Sequence, residues 1–220
     1  IQQPQISNND KEKLEVIYRN ANRMNYLINE LLTFSKIEMK QMRISVRKGD
    51  IMHFLEELSH IFDIVAGERE IDFIVNLEDT EEEVWFSPSK LERILYNLLS
   101  NAFKYTQPGG YVKLSAKLIK EEKETFVQIS VKDNGRGIPK EAQEQIFESY
   151  YQVEKRDHRE GFGLGLSLTR SLIHMHKGEI RVESEINKGS DFIVTLNVSE
   201  DAYNPDERSS ENITTDRKSV

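Results

Sequence analysis

Residues 87–106 carry a hydrophobic pattern that predicts a helix with one apolar face. Apolar side chains recur there at steps of three and four, the spacing of an amphipathic helix that packs on a core: Leu91, Ile94, Leu95, Leu98, Leu99 and Ala102. Ser87 and Pro88 mark the start, because serine suits an N-cap and proline the first turn. The polar face holds an unusual set of side chains, namely Arg93, Asn97, Asn101 and Lys104. Asparagine is a mediocre helix former, so this stack is either a solvated face or a site for a metal-bound phosphate.

A second apolar stripe runs through residues 11–39. Its members again recur at steps of three and four: Leu14, Ile17, Ala21, Met24, Leu27 or Ile28, Leu31 and Phe34. A stripe this narrow and long is typical of a helical hairpin or a two-chain bundle. A helix cannot bury such a stripe alone, so we predict a partner helix or a second chain, with folding back onto the same chain as the alternative.

The rest of the chain alternates between strand-like and helical segments. Strands are predicted near residues 44–47, 71–77, 84–86, 111–119, 126–132, 179–185 and 191–198, and helices over 51–66, 139–147 and 165–177. This order predicts an α+β fold, a two-layer sandwich in which helices cover one face of a mixed, largely antiparallel sheet, preceded by the long amphipathic helix. Residues 200–220 are polar and are predicted to be disordered.

Composition narrows the class of protein. The 220 residues are 37% hydrophobic and 31% charged, as in a soluble globular chain. No apolar run approaches the roughly 20 residues that span a bilayer. The net charge of −8 argues against nucleic-acid binding, because a phosphate backbone attracts a basic surface. The absence of cysteine excludes disulfides and thiolate chemistry.

Two glycine-containing motifs follow the asparagine-bearing helix. The first is Asp133-Asn134-Gly135-Arg136-Gly137-Ile138, at the end of a predicted strand. A carboxylate accepts hydrogen bonds, which suits the exocyclic amino group of adenine, and glycine lets backbone approach a flat ring. By itself this motif is weak, because Asp and Gly are ordinary turn residues.

The second motif, Gly161-Phe162-Gly163-Leu164-Gly165-Leu166, opens a predicted helix. Free N–H groups and the positive end of the helix dipole favour phosphate there. The spacing differs from the dinucleotide-binding fingerprint, and the Lys-Ser/Thr pair of a P-loop is missing.

The order and spacing of these three elements resemble the nucleotide-binding domain of sensor histidine kinases, a fold shared with gyrase, Hsp90 and MutL. The resemblance covers about residues 45–198, and residues 21–38 resemble the second helix of that family's dimerisation hairpin. It implies a partial dimerisation and phosphoacceptor hairpin at 1–43, an ATP-binding catalytic domain at 44–199, and a disordered linker or tail at 200–220.

The resemblance also implies ATP and Mg²⁺ as cofactors and assigns a role to each motif residue. Asn101 would coordinate Mg²⁺ with support from Asn97, Lys104 would contact phosphate, and these three form the catalytic set. The expected nucleotide-binding residues are Asn101, Lys104, Tyr105, Asp133, Gly135, Gly137, Ile138, Gly161, Phe162, Gly163, Leu164, Gly165 and Leu166. Asp133 would accept from the adenine amino group, and the glycines from 161 to 165 would wrap the phosphates.

Three departures from the family pattern qualify this expectation. None of the five histidines is followed by the acidic residue and proline that mark the family's phosphoacceptor, so we expect the acceptor before Ile1 and no self-phosphorylation by this chain alone. Phe-Glu-Ser-Tyr at 147–150 replaces the usual Phe-x-Pro-Phe of the ATP lid. Phe162 stands where a small polar residue is more common.

The resulting hypothesis is a histidine kinase that transfers the γ-phosphate of ATP to a histidine. It implies a homodimer through the N-terminal helix, a response regulator or receiver domain as partner, and the cytoplasmic portion of a membrane-anchored sensor. It implies no nucleic-acid or membrane contact by this chain. One alternative is a nucleotide-binding pseudokinase or scaffold that dimerises through the same helix. An ATPase is disfavoured, because its relatives carry a water-activating glutamate where this chain has Asn97, and an amide is a poor base.

Overall fold

The computed structural model describes residues 8–39, 41–152 and 163–209. The α-helices found there are α1 (Asn8–Glu38), α2 (Ile51–Ser59), α3 (Ile61–Arg69), α4 (Pro88–Tyr105) and α5 (Gly165–Met175). The strands are β1 (Arg47–Asp50), β2 (Asp72–Leu77), β3 (Glu83–Phe86), β4 (Tyr111–Lys120), β5 (Thr125–Asp133), β6 (Glu179–Glu185) and β7 (Gly189–Asn197). Short 3₁₀ turns occupy Lys140–Ala142, Gln145–Phe147, Glu200–Ala202 and Pro205–Glu207.

The main sheet has the order β2-β4-β5-β7-β6, with β2 parallel to β4 and the remaining pairs antiparallel. Alternate residues of β4 and β5 are buried, as the pleat of a strand with one covered face requires. Strands β1 and β3 form a separate antiparallel pair. The mixed, largely antiparallel sheet and its helical layer confirm the predicted α+β fold class.

Helix α4 lies in the centre of the helical layer. Its whole predicted apolar stripe is buried in the core, together with Phe103, which stacks on Phe62 of α3 with ring centroids 5.6 Å apart. Ser87 stands at the N-cap, but its hydroxyl makes no capping bond, contrary to our expectation. Its backbone N–H instead donates to Nε2 of the buried His176, 3.2 Å away, which ties the start of α4 to the end of α5.

The helix predicted over 51–66 is divided at His60 into α2 and α3. The Ser59 hydroxyl donates to the Glu56 carbonyl at 2.7 Å, and side-chain bonds of this kind compete with the helical ladder. The helix predicted over 139–147 is replaced by two 3₁₀ turns. There the Gln143 amide donates to the carbonyls of Ile138 and Ser184, which fixes the turn against β6.

Helix α1 is continuous over 31 residues, as its periodicity predicts. The apolar side chains described along its stripe are exposed before residue 33: Leu14, Ile17, Met24, Ile28 and Leu31. Near its end, Thr33 accepts from the Arg93 guanidinium on α4 at 2.7 Å. Within the described ranges, no helix combines the length and apolar character needed to cross a bilayer.

The prediction of disorder after residue 200 is wrong for residues 200–209. Tyr203 is only 2% exposed and packs with Ile44 and Val46 in a small apolar cluster outside the main core. The segment contains few apolar residues, so its sequence predicts disorder. One buried tyrosine, Tyr203, is nevertheless enough to hold it against the domain. Residues 210–220 lie outside the described part of the chain. The division of the chain at 43/44 stays a prediction.

Candidate active site

One cavity of about 300 Å³ lies between α4, the loop after β5 and the start of α5. It brings together most of the predicted site residues: Asn97, Asn101, Lys104, Tyr105, Asp133, Gly137, Ile138, Gly163, Leu164, Gly165 and Leu166. Gly135 is not among the residues that line it. Gly161 and Phe162 lie outside the described residues.

The two asparagines share the wall of the cavity formed by α4. The Asn97 amide donates from Nδ2 to the hydroxyl of buried Thr169 on α5, 2.7 Å away, so its orientation is set by a neighbouring helix. Its Oδ1 faces Gly165, where an added Cβ would lie only 2.6 Å away. Glycine at 165 therefore makes room for the Asn97 amide, and Asn101 continues the same wall one turn further along α4.

The opposite end of the cavity is built around Asp133, which is 4% exposed. Burial raises the pKa of this carboxyl, and the nearby Asp191 acts in the same direction. Hydrogen bonds from the backbone N–H groups of Gly135 and Ser190 oppose the rise in pKa. The bond from Gly135 spans 2.8 Å and orients one carboxylate oxygen, which leaves a buried acceptor at the cavity wall.

The glycines after Asp133 are required by packing within the protein. A Cβ at Gly135 would collide with the carbonyl of Tyr105, at the end of α4. Gly137 has φ +70, and a Cβ there would collide with the carbonyl of Glu185 at the end of β6. Both glycines thus leave no room for a side chain on the backbone of this loop, and their predicted approach to a flat ring stays a prediction.

Cationic groups gather near Tyr105. The Lys104 ammonium donates to the Tyr105 hydroxyl at 3.1 Å, and the Arg136 guanidinium lies over the Tyr105 ring, 4.4 Å from its centroid. All three side chains line the cavity. Arg136 was not predicted from the sequence as a site residue. Its position between two glycines of the first motif could have indicated it.

Backbone geometry shapes the end of the cavity next to α5. Gly163 has φ +71, a conformation that other residues rarely adopt, and its carbonyl accepts from the Tyr150 N–H at 2.9 Å. The first helical hydrogen bond here runs from Leu168 to Leu164, so the N–H groups at the start of α5 have no partner within the helix. Such groups, with the helix dipole behind them, favour an anion.

The structure adds one acidic residue that sequence reasoning missed. Glu30 of α1 is 5% exposed and lines the same cavity. Its helix is held against the site by the bond between Arg93 and Thr33 and by an edge-on contact between Phe34 and Tyr150, with ring centroids 6.2 Å apart. No local motif marks Glu30, because only the packing of α1 brings it to the cavity.

The oxygen donors at the cavity wall suit a divalent cation that is bound by protein side chains and by substrate phosphates together. Asparagine carbonyl and carboxylate oxygens are the hard donors that Mg²⁺ prefers, and Mg²⁺ is usually held by one or two side chains together with substrate phosphates. Among the described residues, no group of three His, Cys, Asp or Glu side chains is placed to hold a metal ion. A cation at the α4 wall would therefore take ligands from Asn97 or Asn101 and from a bound polyphosphate.

The profile of the histidine kinase-, DNA gyrase B- and HSP90-like ATPases matches residues 86–200, more than half of the chain. The chain belongs to this family. The match begins just before α4, ends just after β7, and includes every described residue of the predicted site.

Relatives and solved structures agree with the family. The chain is 34% identical over 195 residues to histidine kinase P4 of Formosa agariphila and 35% identical over 185 residues to sensor histidine kinase WalK of Bacillus subtilis. These alignments cover 86% and 83% of this chain but only 14% and 30% of the relatives, so the chain spans less than a third of either.

Two solved structures share the fold. The nucleotide-free catalytic domain of histidine kinase ThkA has a TM-score of 0.61 at 25% identity, covering 71% of this chain and 99% of that one. Full-length ShkA in complex with AMPPNP has a TM-score of 0.76 at 23% identity, covering 89% of this chain and 40% of that one.

Proposed function

We propose that this chain binds Mg·ATP in the cavity and serves as the catalytic domain of a sensor histidine kinase. The proposal depends on two groups that line the same cavity. A buried, oriented Asp133 carboxylate lies at one end, and Asn97 and Asn101 lie at the other, near the start of α5. A base with an amino group suits the first end, and a metal-bound polyphosphate suits the second.

In this proposal each described residue has a defined task. Asp133 accepts from the adenine amino group, and Tyr105 lines the nucleotide. Lys104 neutralises phosphate charge, together with the N–H groups at the start of α5 that have no partner within the helix. Asn101 holds Mg²⁺, while Asn97 supports it from an amide fixed by Thr169. The cation supplies charge neutralisation on the phosphoryl oxygens.

Asn97 favours phosphoryl transfer over hydrolysis. An ATPase needs a base beside the γ-phosphate to activate water, and the amide of Asn97 has no basic atom for this task. Its Nδ2 is already engaged with Thr169. The nucleotide is thus kept intact for an acceptor histidine, which we expect before Ile1.

Partners follow from the same proposal. The exposed apolar side chains on α1 suit a helix of a second copy, which gives a homodimer. A response regulator or receiver domain takes the phosphate from the histidine, and the membrane anchor of such sensors belongs to segments outside residues 1–220. The relatives named above are themselves sensor or histidine kinases.

Calorimetric titration of residues 1–220 with ATP tests the binding step. We expect one site with an affinity in the micromolar range, weakened at least tenfold by Asp133→Asn and by chelation of Mg²⁺. The control is Asp79→Asn, which removes an exposed carboxylate from the loop before β3. Unchanged affinity in Asp133→Asn, with an unchanged melting temperature, would refute the adenine assignment.

The sequence encoded before Ile1 tests the transfer step separately. A histidine followed by an acidic residue and a proline, on a helix that pairs with α1, supports the kinase. If the encoded protein has no such histidine, ATP binding by the cavity would belong to a pseudokinase or scaffold.

A further inference from the structure

Residues 199–209 turn back along the domain and pair with the segment that enters it. Val46 donates its N–H to the Glu207 carbonyl at 2.8 Å, and the Val46 carbonyl accepts from the Ser209 N–H at 2.9 Å. Val46 and Arg208 thereby form a parallel β-bridge beside β1. We call residues 199–209 the C-terminal clasp.

The clasp is anchored in the body of the domain. Tyr203 is buried against Ile44 and Val46, and its hydroxyl donates to the carbonyl of Asn197 at the end of β7. Trp85 of β3 and Met175 of α5 pack against the same cluster. Because this cluster is separate from the main core, the contacts of the clasp are additional to those that hold the sheet and its helices together.

The clasp is also braced internally. Asn204 and Glu207 form a reciprocal capping box around one 3₁₀ turn, with the Asn204 N–H donating to the Glu207 carboxylate at 2.9 Å. The Arg208 guanidinium binds the Glu200 carboxylate at 2.7 Å and lies over the Trp85 ring, 6.0 Å from its centroid. A segment ordered by its own contacts loses less entropy when it closes on a partner.

The clasp acts on the connection between α1 and the catalytic domain. Helix α1 ends at Glu38, and the N–H groups of Gln41 and Met42 still bond to the Lys36 carbonyl. Strand β1 begins at Arg47. The clasp holds residues 44–46 between these two points. Together with the Arg93–Thr33 bond and the Phe34–Tyr150 contact, it limits bending between α1 and the domain to a few residues near 43.

We propose that the C-terminal clasp is a conformational device that restricts the movement of α1 relative to the catalytic domain. Opening the clasp would release residues 44–46 and lengthen the flexible connection by about 10 Å, at roughly 3.3–3.6 Å per extended residue. The clasp ends at Ser209, whose N–H bonds to the Val46 carbonyl, so a force or a bound partner beyond that point acts directly on residues 44–46. The proposal does not depend on nucleotide binding.

Pulsed EPR distance measurements test the clasp in the 220-residue protein. The chain has no cysteine, so spin labels at Asn25→Cys on α1 and Lys117→Cys on β4 are the only ones, and both positions are exposed. Dilution with unlabelled protein removes distances between copies. Ser209→Pro deletes one bridging N–H and leaves the apolar cluster intact, whereas Tyr203→Ala removes the anchor.

We expect both substitutions to broaden the distance distribution and to extend its upper limit by up to about 10 Å, with Tyr203→Ala giving the larger effect. Two controls accompany them. Ile180→Ala lowers the melting temperature through the main core without touching the clasp, and Asp201→Ala changes an exposed clasp residue; both should keep the original distribution. An unchanged distribution in Ser209→Pro and Tyr203→Ala, or equal broadening in Ile180→Ala, would overturn the proposal.

Discussion

Protonation of His176 should destabilise this domain as the pH falls from 6.5 toward 4. The imidazole is fully buried. Its Nδ1–H donates to the Leu172 carbonyl at 3.0 Å, and its Nε2 accepts from the Ser87 N–H at 3.2 Å. Burial lowers the pKa of His176 from 6.5 to about 4, and the positive charge of Lys90 acts in the same direction, against the opposing effect of the Leu172 bond. A second proton would remove the acceptor that holds the start of α4.

The magnitude follows from this difference in pKa. Between pH 4 and 6.5 the unfolded chain binds more protons at this position than the folded one, so the free energy of unfolding falls as pH falls through that window. The pKa of His176 is about 2.5 lower in the folded protein than in the unfolded chain. At 1.36 kcal/mol per pKa unit, this difference corresponds to a loss of about 3 kcal/mol in the free energy of unfolding. Above pH 6.5 the contribution is complete, because His176 is neutral in both states.

Urea unfolding from pH 4 to 7.5 measures this contribution when the protein is compared with His176→Gln. The variant lacks the titrating group. The difference in free energy of unfolding between the unsubstituted protein and the variant should therefore be largest near pH 7 and become about 3 kcal/mol smaller toward pH 4. His60→Gln is the control, since that imidazole is exposed. Parallel pH profiles for His176→Gln and the unsubstituted protein, or an NMR titration of His176 near pH 6.5, would refute the reasoning.

Three further predictions concern the cavity. Gly165→Ala places a Cβ 2.6 Å from the Asn97 amide oxygen, so the amide must shift and calorimetry should show at least tenfold weaker Mg·ATP binding; unchanged binding would contradict the assigned place of Asn97. Thr169→Val removes the acceptor of the Asn97 amide at nearly constant volume, and a several-fold loss of Mg·ATP affinity is expected, with Ser171→Ala on the same helix as control. Glu30→Gln takes a negative charge out of the cavity, so ATP should bind several-fold tighter in titrations without Mg²⁺ at low salt; weaker binding would show that the carboxylate assists the nucleotide.

Local patterns were sufficient to predict the elements that carry the site. The stripe on α4 determines which face is buried, and the opposite face then carries Asn97 and Asn101 to the cavity. Asp133 and Gly165 are likewise placed by short segments, the end of a strand and the start of a helix. In each of these cases the informative residues are close together in sequence.

Features that depend on contacts distant in sequence were missed. Glu30 reaches the cavity through the packing of α1, which its own periodicity does not specify. Tyr203 orders a polar segment by inserting one ring beside Val46, more than 150 positions earlier. The carbonyl of Tyr105, which leaves no room for a Cβ at Gly135, is likewise an atom that no sequence pattern locates.

Phosphorus NMR of ATP mixed with an equal amount of residues 1–220 and Mg²⁺ tests the central claim, that the cavity binds Mg·ATP and keeps it intact. We predict shifted or broadened β- and γ-phosphate signals, no growth of inorganic phosphate over hours, and smaller changes in the same signals with Asp133→Asn at the same concentrations. Free-nucleotide signals with the unsubstituted protein, or steady release of inorganic phosphate, would contradict it.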